Sequence, residues 1–177
     1  MVPTITNLLN NKITIHHFRE ITSKDLLERK APQINHRFLN KDILNKTVLI
    51  TGAGGSIGNE LCKQIVKMKP SKLILLEISE SSLYLTIHNL REIIRKNNKF
   101  KKIKIIPLLG SVNDQSFVSK TFKIYKPDII YHAAAYKHVP LVESNLIEGM
   151  KNNVIGTYTC ATEALKNKVS KFLLIST

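Results

Sequence analysis

Cysteine is scarce: the 177 residues hold two, Cys62 and Cys160. They lie far apart and match neither a redox Cys-x-x-Cys nor a zinc-ligand spacing. Each falls on an expected helix, so both are expected to be small core residues in a reducing compartment. No metal site is expected either. His138 has no second ligand at a usable spacing, and the adjacent His16 and His17 point apart in any regular structure. Long hydrophobic runs are also missing: no stretch approaches the ~20 apolar residues that a membrane helix needs. The first residues lack the basic-then-apolar order of a signal peptide, and a soluble cytoplasmic protein is the expectation. Acids are few, 13 Asp+Glu against 27 Lys+Arg, for a formal charge of +14. Such an excess suits a polyanion such as nucleic acid, a membrane surface or phosphates. Lys, Asn and Ile are nevertheless abundant throughout, as a coding bias would produce. The one dense basic cluster, Arg95-Lys96-Asn97-Asn98-Lys99-Phe100-Lys101-Lys102, falls in an expected helix-to-strand loop. No nucleic-acid partner is therefore expected.

With 43% hydrophobic residues, the chain has enough apolar side chains for one domain with a real core. Residues 1–46 are polar, free of glycine and carry only short apolar pieces. They read as a linker or docking arm, with Thr22 and Asp25 forming a capping box for a short helix over residues 25–29 that Pro32 would end. From Thr47 the pattern is regular. Short runs apolar on both faces (Val48-Leu49-Ile50, Leu73-Ile74-Leu75-Leu76, Ile103 to Leu109, Ile129-Ile130-Tyr131 and Phe172 to Ile175) read as buried parallel strands. Between them lie stripes of helical period: Ile57, Leu61, Ile65 and Met68; Leu83, Ile87, Leu90 and Ile94; a weaker Val118, Phe122 and Tyr125; and Val154, Tyr158, Ala161 and Leu165. This alternation predicts right-handed βαβ crossovers and an α/β, doubly wound parallel sheet over residues 47–177. No solenoid repeat or low-complexity tract interrupts it.

Directly after the first strand comes Thr51-Gly52-Ala53-Gly54-Gly55-Ser56-Ile57-Gly58, leading into a helix. Gly52 permits the tight turn, Gly55 lets a pyrophosphate approach the backbone, and Gly58 lets helix and strand pack closely. The helix N-terminus then offers unpaired N–H groups and the positive end of its dipole to phosphates. A glycine motif alone is weak, but a strand before it and a helix after it are the context that marks dinucleotide binding. Glu77, 19 residues after Gly58, stands where an acid would meet the adenosine ribose hydroxyls, and no arginine follows to welcome a 2′-phosphate. NAD is favoured over NADP, a solvated strand-end carboxylate being the alternative. The fourth strand runs into Ala133-Ala134-Ala135-Tyr136-Lys137-His138-Val139-Pro140. Three alanines there leave room for a flat ligand at the topological switch point, or else fit a crowded helix contact. Lys137 can reach a phosphate or a sugar hydroxyl, or stand in solvent.

The glycine segment resembles the fingerprint of extended short-chain dehydrogenases/reductases, an NAD(P)-binding Rossmann fold. Glu60-Leu61-Cys62, Glu77-Ile78-Ser79-Glu80 with Leu83-Tyr84, Ala133 to Pro140, Glu143, Asn152-Asn153-Val154-Ile155-Gly156-Thr157 and Leu174-Ile175-Ser176-Thr177 narrow the likeness. Together they are similar to the CapD-type polysaccharide-biosynthesis proteins, nucleotide-sugar 4,6-dehydratases acting on UDP-N-acetylglucosamine. Even the arm, Val2-Pro3 through Leu26 to Arg29, resembles the linker that follows a membrane-embedded region in long members. The resemblance implies a redox-neutral conversion to a UDP-4-keto-6-deoxy-N-acetylhexosamine, used in surface polysaccharides and glycans, by a homo-oligomer. It implies cofactor contacts from Gly52, Gly55, Ser56, Ile57, Gly58, Glu77, Ser111, Val112, Ala133, Ala134, Ala135, Lys137 and Asn153. Lys137 and His138 would meet the UDP-sugar, and Thr177 would stand beside the reacting sugar as a catalytic residue.

Two departures bear on this. Ser111 occupies the place of the family's usual aspartate for the adenine amino group. The Asp-Lys pair and the Tyr- or Met-x-x-x-Lys segment that follow Thr177 in the family do not occur in the sequence, so the Rossmann domain reads as C-terminally incomplete. A fragment without turnover of its own is the expectation. An epimerase or reductase of the same fold and a non-catalytic nucleotide-binding remnant are the alternatives.

Overall fold

The computed structural model describes residues 42–176. The helix expected over residues 25–29, and Thr177, lie outside the described residues. Five parallel strands, β1 (Thr47–Thr51), β2 (Lys72–Glu77), β3 (Lys104–Leu109), β4 (Ile129–His132) and β5 (Lys171–Leu174), form one sheet in the order β3-β2-β1-β4-β5. The connections carry α1 (Ser56–Lys67), α2 (Glu80–Arg95) and α3 (Gln115–Tyr125). Between β4 and β5 come α4 (Val139–Ser144), α5 (Leu146–Met150), a π-helical turn (Lys151–Gly156) and α6 (Thr157–Lys166). The strand order reverses between β1 and β4, which is where a doubly wound sheet opens a crevice at its carboxyl edge. Among the described residues no helix is long and apolar enough to cross a membrane.

The two apolar faces of the central strands serve two separate cores. Val48, Ile50, Leu73 and Leu75 pack with Cys62, Ile65 and Val66 of α1 and with Leu83 and Leu90 of α2. The alternate residues Leu49, Ile74, Leu76 and Ile130 pack with Val118 and Phe122 of α3 and Cys160 and Ala164 of α6. Each core thus holds one of the two cysteines, and burial pushes both thiols up to about 12, where they stay protonated and unreactive. Ile43 is 2% exposed in the first core, so packing already begins within the stretch read as arm.

Three readings of the sequence are corrected. The runs of β3 and β5 belong to edge strands and are only partly covered, with Leu109 and Leu174 exposed. Ile57 is 43% exposed at the mouth of the crevice, and Gly58, Cys62, Ile65 and Val66 are what α1 buries. On α6 the expected stripe faces outward: Val154, Tyr158 and Leu165 are exposed, while Gly156, Cys160 and Ala164 are buried. These three are spaced i, i+4, i+8 and small, because the helix lies close against the sheet and its neighbours. A Cβ on Gly156 would come within 2.7 Å of Val112. Size governs that face, whereas an apolar stripe only marks which side chains are greasy.

His132, at the end of β4, joins four elements. Its Nδ1 is 2.7 Å from the Thr51 hydroxyl of β1, its Nε2 is 3.0 Å from the Thr157 hydroxyl of α6, and its ring stacks on Phe172 of β5. One ring nitrogen donates and the other accepts only while the ring is neutral. Burial holds it neutral and lowers its pKa from 6.5 to about 4. The unfolded chain therefore gains this proton first, and stability falls as pH drops from about 6.5 to about 4. The loss from this group is about 3 kcal/mol in all. Urea unfolding across that range, compared with His132→Gln, is expected to show that much less acid dependence in the variant; parallel curves would remove His132 as the cause.

Candidate functional site

The crevice is built on the turn between β1 and α1. Gly52 has a positive φ of 64°, and a Cβ there would stand 2.7 Å from the Ala133 carbonyl oxygen of the neighbouring strand's exit. Only glycine meets both demands without strain. Gly58 sits one helical turn in, and its Cβ would lie 2.0 Å from the Gly52 carbonyl oxygen. Helix α1 is thereby pressed onto the turn, and its N-terminus opens at the strand end. Helices α2 and α3 are closed by side chains: Ser79 accepts from the Ser82 N–H at α2, and Asp114 from the Phe117 N–H at α3. The N-terminus of α1 carries no such cap. Its first N–H groups and dipole are directed at whatever occupies the crevice.

Glu77 completes the turn from the β2 side. Its Oε2 accepts the Gly54 N–H at 2.7 Å, and its Oε1 accepts the N–H groups of Ile78 and Ser79, each at 3.0 Å. The side chain is buried at 7% exposure yet borders a cavity, so an acceptor position stays available to a ligand hydroxyl. Gly54 was given no role from the sequence. It donates this hydrogen bond, and a Cβ on it would strike Ser82. The acid that follows the glycine turn was legible; which loop amide grips it was not.

Two cavities flank the glycine turn and share Gly55, Ala133, Ala135 and Tyr136 as a common wall. The smaller, about 190 Å³, lies over Gly52, Glu77, Ile78, Ser111, Val112, Ala134 and Asn152. The larger, about 480 Å³, is bounded by Ser56, Ile57, Gly58, Lys137, His138, Leu141, Glu148 and Ile175. Nearly all the residues singled out in the sequence therefore border one continuous cleft. Asn153 is placed differently: its Oδ1 accepts the Tyr136 N–H and its Nδ2 donates to the Tyr136 carbonyl, both at 2.8 Å. It pins the wall while its neighbour Asn152 faces the smaller cavity. Thr177 lies outside the described residues, two positions beyond the cavity-lining Ile175.

His132 was passed over in the sequence, although a histidine within a buried strand needs polar partners and so signals a clamp. Its bond to Thr157 fixes the start of α6 just after the π turn that presents Asn152 and Asn153. Such π turns recur where a helix must aim side chains at a site.

Comparison with known proteins gives the following. A family model described as polysaccharide biosynthesis protein matches residues 48–177. The capsular polysaccharide biosynthesis protein CapD of Staphylococcus aureus is 37% identical over 176 residues, which are 99% of this chain and 28% of CapD. A dTDP-D-glucose 4,6-dehydratase of Dictyostelium discoideum is 32% identical over 137 residues, 77% of this chain and 30% of the enzyme. The chain thus spans less than a third of either relative. Among solved structures, UDP-glucose 4-epimerase of Bifidobacterium longum, in complex with NAD+ and UDP, superposes with a TM-score of 0.61 at 22% identity. That match covers 74% of this chain and 37% of the epimerase, and shows the shared Rossmann fold.

The glycine contacts rank the turn's tolerance. Gly58→Ala has only backbone to displace and is expected to cost about 2 kcal/mol or more, lowering Tm by roughly 5 °C. Gly55→Ala, whose Cβ would meet only the Gly52 carbonyl oxygen at 3.3 Å, is expected to melt within a degree or two of wild type. Thermal melts of the two variants decide this; equal Tm values would mean that the helix does not rest on the turn.

Proposed function

Because the chain belongs to the polysaccharide biosynthesis protein family, we propose that it is the cofactor-binding part of a nucleotide-sugar 4,6-dehydratase. Its reaction would convert UDP-N-acetylglucosamine to a UDP-4-keto-6-deoxy-N-acetylhexosamine with NAD held throughout. The observation that carries this reading is the uncapped N-terminus of α1 beside a buried, tethered Glu77, with one cleft running past both. The residues present fit NAD. The α1 N–H groups at Ser56, Ile57 and Gly58 suit a diphosphate, and Gly55 leaves room for it. Glu77 keeps one acceptor position for a ribose hydroxyl and would repel a 2′-phosphate. Val112, Ser111 and Ile78, which line the smaller cavity, would border the adenine, and Ala133 to Ala135 would form a low wall along the remainder.

When bound, NAD supplies a hydride acceptor that can also return the hydride, which a reaction with no net redox change requires. The chain's own contribution is to hold and exclude. Asn153 fixes the Tyr136 backbone, and this sets the departure of Lys137 and His138 along the larger cavity. Lys137 there offers three donors to sugar or diphosphate oxygens, and His138 a further polar contact. Thr177 would come beside the sugar, by resemblance to the family. A cytoplasmic setting, where nucleotide sugars and NAD are both supplied, fits this chemistry, and assembly into a homo-oligomer would cover the outward stripe of α6.

Equilibrium titration is expected to show NAD binding at least tenfold more tightly than NADP, with Glu77→Gln losing most of that preference. Tighter NADP binding by the unmodified chain would overturn the cofactor reading. For the reaction, the longest product of the reading frame is incubated with UDP-N-acetylglucosamine and the nucleotide sugar is weighed by mass spectrometry. Loss of one water supports the dehydratase, whereas a product of unchanged mass with altered sugar stereochemistry would make it an epimerase.

A further inference from the structure

The positive charge is not spread evenly over the described residues. In a parallel sheet all strands start at one end, and the C-termini of the crossover helices return to that same end. Lysine or arginine stands in the last turn of α1, α2, α3 and α6 there, where it complements the helix dipole. The loops add more than any dipole asks for. Lys69, Lys126 and Lys168, which follow α1, α3 and α6, all take a left-handed conformation, with φ of 57°, 45° and 54°. Each closes a helix end by a backbone bond, to the carbonyls of Val66, Phe122 and Leu165. Glycine is the residue this position favours, yet a lysine occupies it three times. Lys101, Lys102 and Lys104 lie at the same end, before and in β3, and all six side chains are exposed.

Acids at this end are already engaged. Asp42 pairs with Lys171, Asp128 with Lys46, Glu92 with Arg95 and Glu163 with Lys166. The opposite, cleft-bearing end has the reverse balance: Glu77, Glu80, Asp114, Glu143 and Glu148 against Lys137 and Lys151. A coding bias toward lysine raises the total charge but does not sort it to one end. The basic end is also continuous. Backbone hydrogen bonds run from Lys104 to Ser71, from Ser71 to Lys46, from Asp128 to Thr47 and from Ser170 to Asp128. They tie the five strand entrances into one rim roughly 20 Å across.

We propose that this lysine-rich rim is a docking surface for an anionic phospholipid bilayer, holding the cleft-bearing end away from the membrane. Lysine dominates it, and its arginine, Arg95, is bound to Glu92; strongly hydrated point charges suit a diffuse negative plane better than bidentate phosphodiester readout. The six lysines lie beside no exposed aromatic side chain in their loops, since Phe100 and Tyr125 are partly buried, so base stacking has no platform.

The test is co-sedimentation of the 177-residue chain with vesicles of phosphatidylcholine alone or with about a third phosphatidylglycerol, at low and high salt. Binding is expected only to the anionic vesicles and is lost as salt rises. The variant K69G/K126G/K168G removes three charges where glycine suits the backbone, so its melt should not fall. Its vesicle affinity is expected to drop about a hundredfold. A second variant, K101Q/K102Q/K104Q, does the same from exposed side chains if the first folds poorly. Equal binding by both folded variants, binding to neutral vesicles, no binding to anionic ones, or tighter binding to duplex DNA than to anionic vesicles would each overturn the proposal.

Discussion

The contact between Gly58 and the Gly52 carbonyl sets the geometry on which the rest depends. With no side chain at either position, α1 rests on the turn that ends β1, and its uncapped N-terminus faces the crevice. The same compression brings Gly54 within reach of Glu77, so that the carboxylate is held by three backbone N–H groups. A single tight packing event thereby positions a cationic helix end and an anionic side chain on either side of one loop. That arrangement can separate a diphosphate from a ribose without any mobile element.

The far wall is fixed by a different device. β4 ends in His132, whose neutral ring ties β1 to α6 and lies against β5. The π turn before α6 then directs Asn153 onto both polar groups of Tyr136. Polar groups buried at this depth are costly unless every one is partnered, and here both ring nitrogens have partners. The wall of alanines and Lys137 is thus carried on a hydrogen-bonded frame, which suits a cleft whose two cavities meet along it.

Charge follows the polarity of the sheet. Among the described residues, acidic side chains border the cleft end and lysines crowd the strand entrances, so their charge is polarised along the strand direction. Read along the chain, the lysines looked like compositional background, because each crossover unit contributes only one or two of them. Folding returns each unit to the same end and adds the contributions.

The order of strands and helices, the glycine turn and Glu77 were legible because they depend on local chemistry: apolar runs, a turn that only glycine fits, and a fixed spacing. Much of the rest depended on which surfaces meet. Edge strands β3 and β5 carry the same apolar runs as central ones, and sequence periodicity has no knowledge of strand order. The apolar stripe of α6 faces outward because close approach to the sheet admits only Gly156, Cys160 and Ala164. Gly54, His132 and the placement of Asn153 against Tyr136 emerged only from contacts between residues far apart in the chain. By itself the sequence determined the parallel α/β architecture, the glycine turn after β1 and the acid at the end of β2. Tertiary structure decided which faces are buried, what braces the cleft and where the charge collects, since each of these is set by distances across the fold and not along it.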